Sequence, residues 1–209
     1  MKEIINPVFR RPKDYGISPV FDDNCEILIL GSITALDGIN KGFYYASNKN
    51  QLWQLLDLCL NTNCFSNLKN ELKINFDNFK ARNINDDEFL ENKKVIREKF
   101  SAELLKRKIA ICDVFSECYF NNNSSMDIDI ILNNDNFPYK TSKEILQNII
   151  NNSKIKTIVV NSRFVEKEFY KLKINGNFNV EYVISPSPRR GCVDKKIECW
   201  KNVFNKILN

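Results

Sequence analysis

Four short apolar runs, ILIL at 27–30, IAICDV at 109–114, KTIVV at 156–160 and VEYVI at 180–184, alternate with stretches whose apolar residues recur at helical spacing. A run of that length bounded by Gly, Asp or Asn reads as a buried strand, because a strand covered on both faces has no polar side to show. Between the runs, residues 51–60 carry Leu52, Leu55, Leu56 and Leu60 on one helical face, and 142–151, 163–172 and 195–208 read as further helices. The charged stretch 65–106 is expected to form one or two helices that cover the sheet. Alternation of strand and helix demands right-handed crossovers and parallel pairing. The expected fold is therefore α/β: a three-layer α/β/α sandwich with a central, mostly parallel four-stranded sheet. In such a sheet the working site lies beyond the carboxyl ends of the strands. Those ends are Gly31 onward, Asp113 onward, Asn161-Ser162 and Ser185 onward.

The chain of 209 residues is long enough for one well-buried core, so residues 1–209 are expected to form a single domain, entered through a basic, proline-punctuated lead over 1–20. A net charge of +5 is compatible with acidic partners without demanding them. The chain has no histidine, which removes His-based general acid/base catalysis, Ser-His-Asp and Cys-His arrangements and most transition-metal sites together. Seven cysteines stand apart without a C-x-x-C pair, so they read as reduced core thiols, with no zinc or iron–sulfur site. Neither a metal nor a cofactor is expected. No segment reads as a signal peptide and no apolar run approaches bilayer length, so the expected setting is cytoplasmic, without membrane partners.

Three segments carry the chemistry. GSITALDGINKGFYYASNKNQLW follows the first strand, KIAICDVFSECYFNNNSSMDI holds the second, and ISPSPRRGCVDKKIECW follows the last. Together they resemble the uracil-DNA glycosylase superfamily, and within it the hypoxanthine-acting (DNA-deoxyinosine) glycosylase family. That family runs from a strand into G-S-F-P-S, then F-Y-Y and N-x-F-W. Gly31-Ser32, Phe43-Tyr44-Tyr45 and Asn50-Gln51-Leu52-Trp53 answer these, with Leu52 where Phe is usual. A W-D-V strand end and a G-S-x-D-x-x-I turn are matched by Cys112-Asp113-Val114 and by Ser125-Met126-Asp127 with Ile130. The family's closing S-T-S-P and tryptophan are matched by Ser185-Pro186-Ser187-Pro188 and Trp200. The likeness runs in order from about Ser18 to the C-terminus. It departs at G-S-I-T-A (31–35), which lacks the stacking aromatic and the loop proline, and at Ala46-Ser47-Asn48, where small-His-Pro is usual.

The resemblance implies a monomeric, monofunctional DNA glycosylase that flips out hypoxanthine and/or uracil and hydrolyses its N-glycosidic bond in base excision repair. Gly38-Ile39-Asn40-Lys41-Gly42 imitates the G-I-N-P-G of the mismatch-specific branch, whose Asn is catalytic. Counted from the strand end, however, Gly31 takes that first Gly's place and Ile33 that Asn's, so Asn40 is a decoy and the catalytic Asn maps to Asn50. A carboxamide suits the task, since its oxygen accepts from water and its NH₂ donates. The implied base pocket comprises Gly31, Ser32, Ile33, Thr34, Tyr44, Tyr45 and Asn161. The implied DNA-binding loop comprises Ser185, Pro186, Ser187, Pro188, Arg189 and Arg190. Other readings stay open: Asn50 as a plain helix cap, Tyr44 and Tyr45 as core aromatics, a non-catalytic DNA-binding or damage-sensing module, or a glycosylase for another modified base. Trp53 and Trp200 read as core anchors, Asp113 as a loop-orienting group, and Asp37 as a solvated loop carboxylate.

Overall fold

The structure, a computed structural model, describes residues 7–121, 130–131, 136–188 and 191–208. The expected apolar runs form one parallel sheet. Its strands are β2 (Ile27–Gly31), β3 (Ile109–Asp113), β7 (Thr157–Val160) and β8 (Asn179–Tyr182), in the order β3-β2-β7-β8. β2 lies in the middle, with Ile29 opposite Ile111 on one side and Val159 on the other. The last strand is one residue earlier at its start than the VEYVI run, and Val183 follows it as a buried residue whose N–H bonds Val160 O at 3.0 Å.

Side chains alternate across a strand, so β2 feeds two cores at once. Ile27 and Ile29 face one layer, packed with Trp53, Phe65, Phe100 and Trp200. Leu28 and Leu30 face the other, packed with Leu146, Ile149, Val165 and Phe169. The first layer is built by α2 (Leu52–Leu60), α3 (Cys64–Lys80), α4 (Asp86–Lys106) and α7 (Val193–Leu208). The second is built by α5 (Lys143–Asn151) and α6 (Arg163–Leu172). The expected three-layer sandwich is present, and the charged stretch 65–106 resolves into two helices, α3 and α4, broken at 81–85. Asn85 caps α4 by accepting from Glu88 N–H at 2.8 Å. Within the described residues no helix is long and apolar enough to cross a membrane.

Two features differ from the sequence expectation. The first is a small antiparallel sheet, in which β4 (Phe115–Asn121) pairs with β1 (Pro7–Arg10), β5 (Ile130–Ile131) and β6 (Lys140–Thr141). The lead thus contributes a strand and a 3₁₀ turn (Pro12–Tyr15). β4 was hidden because it follows β3 directly and its pairing partners are short. The second is α1 (Leu36–Lys41), which turns the expected loop around Asp37 into a helix closed by Gly42 at φ 92°. The cysteine reading needs correcting too. Cys25, Cys112 and Cys118 are buried thiols and Cys59, Cys64 and Cys199 pack half-buried against the core, but Cys192 is exposed.

The larger core is organised by aromatic rings. Trp53 stacks on Phe65 and Phe43, and Phe100 closes on both Trp53 and Phe43 at 4.7 Å between centroids. Phe100→Ala should cost about 3–5 kcal/mol. Leu90→Ala, 55% exposed on the same helix, should stay within about 0.5 kcal/mol. Urea unfolding of both variants checks the contrast.

Candidate active site at the carboxyl edge of the sheet

Gly31 ends β2, and its surroundings explain the missing side chain. A Cβ there would collide with the Tyr45 hydroxyl and Asp113 Oδ1, so only glycine lets the phenol and the carboxylate meet over the strand end. Tyr45 adopts a left-handed backbone, φ 51°, a conformation costly for a bulky residue and concentrated at functional sites. Its hydroxyl accepts from Asn161 Nδ2. Thr34 Oγ1 donates to Asp113 Oδ2 at 2.8 Å, joining the loop after β2 to the end of β3. Backbone bonds from Val114 N–H to Gly31 O and Phe115 N–H to Ser32 O, at 2.8 and 2.9 Å, hold the same junction. Gly31, Thr34, Tyr45, Asp113 and Asn161 are therefore gathered in one place from separate segments.

The remaining predicted pocket residues divide. Ser32 is half-buried at this edge, whereas Ile33 turns inward, 7% exposed, into the layer with Val114 and Phe115. Tyr44 is buried edge-on against Phe43, and burial, then the nearby Cys112 and Asp113, pushes its phenol well above the ordinary range. It walls a cavity of about 100 Å³ that Ser18, Asp113, Phe115 and Ser116 also line.

Asn50 stands at the start of α2, where its Oδ1 accepts from Leu52 N–H at 2.9 Å. The oxygen thus serves the helix start with one lone pair and keeps the second, while Nδ2 can donate. The next residue ties this turn to the last loop. Gln51 N–H donates to Pro186 O at 3.0 Å, and the buried Lys196 Nζ donates to both Gln51 Oε1 at 2.8 Å and Ser187 O at 2.6 Å. Trp200 Nε1 donates to Ile184 O at 2.8 Å just before that loop. Pro186 is buried, Ser185 and Ser187 are half-buried, and Pro188 is exposed. Arg189 and Arg190 lie outside the described residues, as do Ser125, Met126 and Asp127. Asn40 is exposed on α1, while Asp37, in the first turn of that helix, pairs with Lys41 at 3.1 Å.

No protein-family model matches the chain. A stretch of 44 residues is 48% identical to a protein named hypoxanthine DNA glycosylase from Methanosarcina barkeri, and covers 21% of this chain and 28% of that relative. The solution NMR structure of a Methanosarcina acetivorans protein, provisionally named a uracil DNA glycosylase, superposes with a TM-score of 0.58 at 21% identity, over 97% of this chain and all of that one. The fold is uracil-DNA-glycosylase-like. The structural likeness bears on the fold, and the match to the named relative spans 28% of that relative's length.

On this glycosylase-like fold, the residues that sequence reasoning missed are lysines. Lys69 is 8% exposed and donates to Asn48 O at 3.1 Å and Asn50 O at 2.5 Å. Lys41 is buried too and donates to Asn48 Oδ1 at 2.8 Å. In a charged sequence such lysines read as solvated, but helical spacing held a signal. Lys69 shares a face with buried Phe65 and Leu72, and Lys196 with buried Trp200.

Gly31→Ala should cost about 1–3 kcal/mol through overpacking, and adding Tyr45→Phe should recover part of that cost, seen as a coupling energy in a urea double-mutant cycle. Lys69 supplies a pH test. Burial, then the neighbouring Lys41 charge, lowers its pKa to about 8, below the unfolded value of about 10.4. Between those values the unfolded chain holds more protons, so this group makes stability rise with pH across that window. Wild type should gain on Lys69→Met between about pH 8 and pH 10.4 in parallel urea titrations.

Proposed function

We propose that the chain is a monofunctional DNA glycosylase of the uracil-DNA glycosylase superfamily that removes a deaminated base, hypoxanthine and/or uracil, and leaves an abasic site for base excision repair. One observation carries the reading: the Asn50 turn and the Ser185–Pro188 loop, which bear two of the motif matches, are joined by the Gln51–Pro186 bond and the Lys196 clamp. Two distant segments with the same family likeness meet at the edge where an α/β sheet presents its site.

In the proposed reaction a base extruded from the stack enters the edge between the 31–34 loop and Tyr45. Water attacks C1′ as the C1′–N bond breaks, the electron pair leaves with the base, and a proton from the water is lost to solvent. Asn50 orients that water through the free lone pair of Oδ1 or holds the base through Nδ2. The backbone N–H groups of residues 32–34 face the charge that builds on the leaving base. The Thr34–Asp113 bond keeps that loop in place before the reaction, which is the condition for electrostatic preorganisation. With no histidine, this electrostatic contribution supplies most of the rate, and turnover is slow. Ser185, Ser187, Arg189 and Arg190 grip phosphates, Pro186 and Pro188 stiffen the loop, and Arg189 fills the gap left by the base. The protein acts as a cytoplasmic monomer without metal or cofactor.

A second reading keeps DNA binding without catalysis. Its support is Ile33, which stands where the family has a stacking aromatic and is buried in the core. A strand-nicking assay separates the two: labelled oligonucleotides containing hypoxanthine, uracil, xanthine or a thymine mismatch are incubated with protein and then treated with alkali. Activity should fall by about 10²-fold or more in Asn50→Ala and persist in Asn40→Ala. Loss with Asn40 and retention with Asn50 would reverse the register, and salt-sensitive binding with no abasic product would leave the non-catalytic reading.

A further inference from the structure

Beside the Asn50 turn lies a second cavity, of about 220 Å³, lined by Asn48, Gln54, Ser66, Lys69, Asn70 and Lys73. Every lining side chain is polar and none is a carboxylate. Lys69 and Lys73 stand one helical turn apart on α3, Ser66 stands a turn earlier, and Asn48 lines the cavity from the loop before α2. The surrounding charge is unbalanced. Lys41 sits behind Asn48, bonded to it, and the carboxylate that answers Lys41 is Asp37, already held at 3.1 Å. Lys69 donates to the Asn48 and Asn50 carbonyls, and burial, the strongest influence on it and larger than the favourable pull of Asp37, disfavours its charge. A buried ammonium of this kind gains most from an anion with several acceptor oxygens. The hydroxyl and amides of the same wall offer further donors to such an anion.

Its place in the fold selects the anion. Asn48 and Asn50 are two residues apart, a reach of at most about 7 Å, so a ligand here lies within about two nucleotides of a base held at Asn50. We propose that this cavity is a subsite for a backbone phosphodiester of the DNA strand that carries the excised base, with Lys73 and Lys69 as its cations and Ser66 and Asn70 as neutral donors. The subsite rests on the glycosylase reading and extends the DNA contact from the 185–190 loop to α3, which otherwise serves only to cover the sheet. It also gives the Lys69 contacts to Asn48 and Asn50 a second consequence, because a phosphate drawn to Lys69 is held against the turn that positions Asn50.

The test is fluorescence anisotropy of labelled single-stranded and duplex oligonucleotides over a salt series, with wild type, Lys73→Ala, Lys73→Arg and Asn70→Ala. Lys73 and Asn70 are exposed, so these variants fold. Each lost phosphate contact reduces the slope of log affinity against log salt by about 0.7 on single strands and about 0.9 on duplex. Lys73→Ala should show that reduction and Lys73→Arg should not, while Asn70→Ala weakens binding at unchanged slope. An unchanged slope in Lys73→Ala overturns the proposal, as does wild-type protein that binds no DNA. Inorganic phosphate, titrated into labelled protein by NMR, is the control. If it shifts the Lys69 and Lys73 amides while Lys73→Ala keeps the full DNA slope, the site takes free phosphate and the assignment to DNA fails. Slope loss in a protein that releases no base would keep the subsite and remove the catalytic reading.

Discussion

β2 is the constraint on which the rest depends. It pairs on both edges, with β3 and β7, and is covered on both faces, so its five residues are all buried. Such a strand cannot shift register without moving side chains from one core to the other. Its carboxyl end is therefore fixed, and Gly31 delivers the chain to a point where Tyr45 and Asp113 approach the backbone too closely for a Cβ. The candidate site inherits its geometry from that fixed end rather than from the loops themselves.

Buried lysines then brace the loops. Lys196 joins the Gln51 turn to the Ser187 carbonyl, Lys69 holds the carbonyls of Asn48 and Asn50, and Lys41 holds the Asn48 amide. A lysine stem packs as hydrocarbon while its three donors collect carbonyls from a segment with no regular partners. The arrangement costs desolvation, which lowers the pKa of Lys69 and of Lys196. It leaves positive charge next to the edge where the proposed substrate, a polyanion, would dock, so the electrostatic cost in the free protein diminishes when an anion binds.

The layered fold was legible because its strands are buried on both sides. ILIL, IAICD and TIVV have no polar alternation to confuse with a surface strand, and α5, α6 and α7, which help to cover them, carry clear apolar stripes. The antiparallel sheet was not legible, because Phe115–Asn121 mixes polar and apolar residues and pairs with strands as short as Lys140–Thr141. The α1 helix was masked by its own Asp, Gly and Asn, residues that favour turns until Gly42 closes the helix and Ile39 is buried. At the site, Gly31 and Asn161 were legible as strand ends and Tyr45 through the motif resemblance, but the three-dimensional reach of the lysines was not. A lysine's role depends on where the end of its stem arrives, and spacing alone shows only the face from which it starts.

Breakage of a glycosidic bond is the chemistry proposed for this edge. Mass spectrometry of the products from a hypoxanthine-containing or uracil-containing oligonucleotide, without alkali, tests it most directly. Free base should appear together with a full-length strand that bears an abasic site and is lighter by that base less one water. An unaltered oligonucleotide at protein concentrations that saturate binding would contradict it, and so would a strand cut by the protein itself.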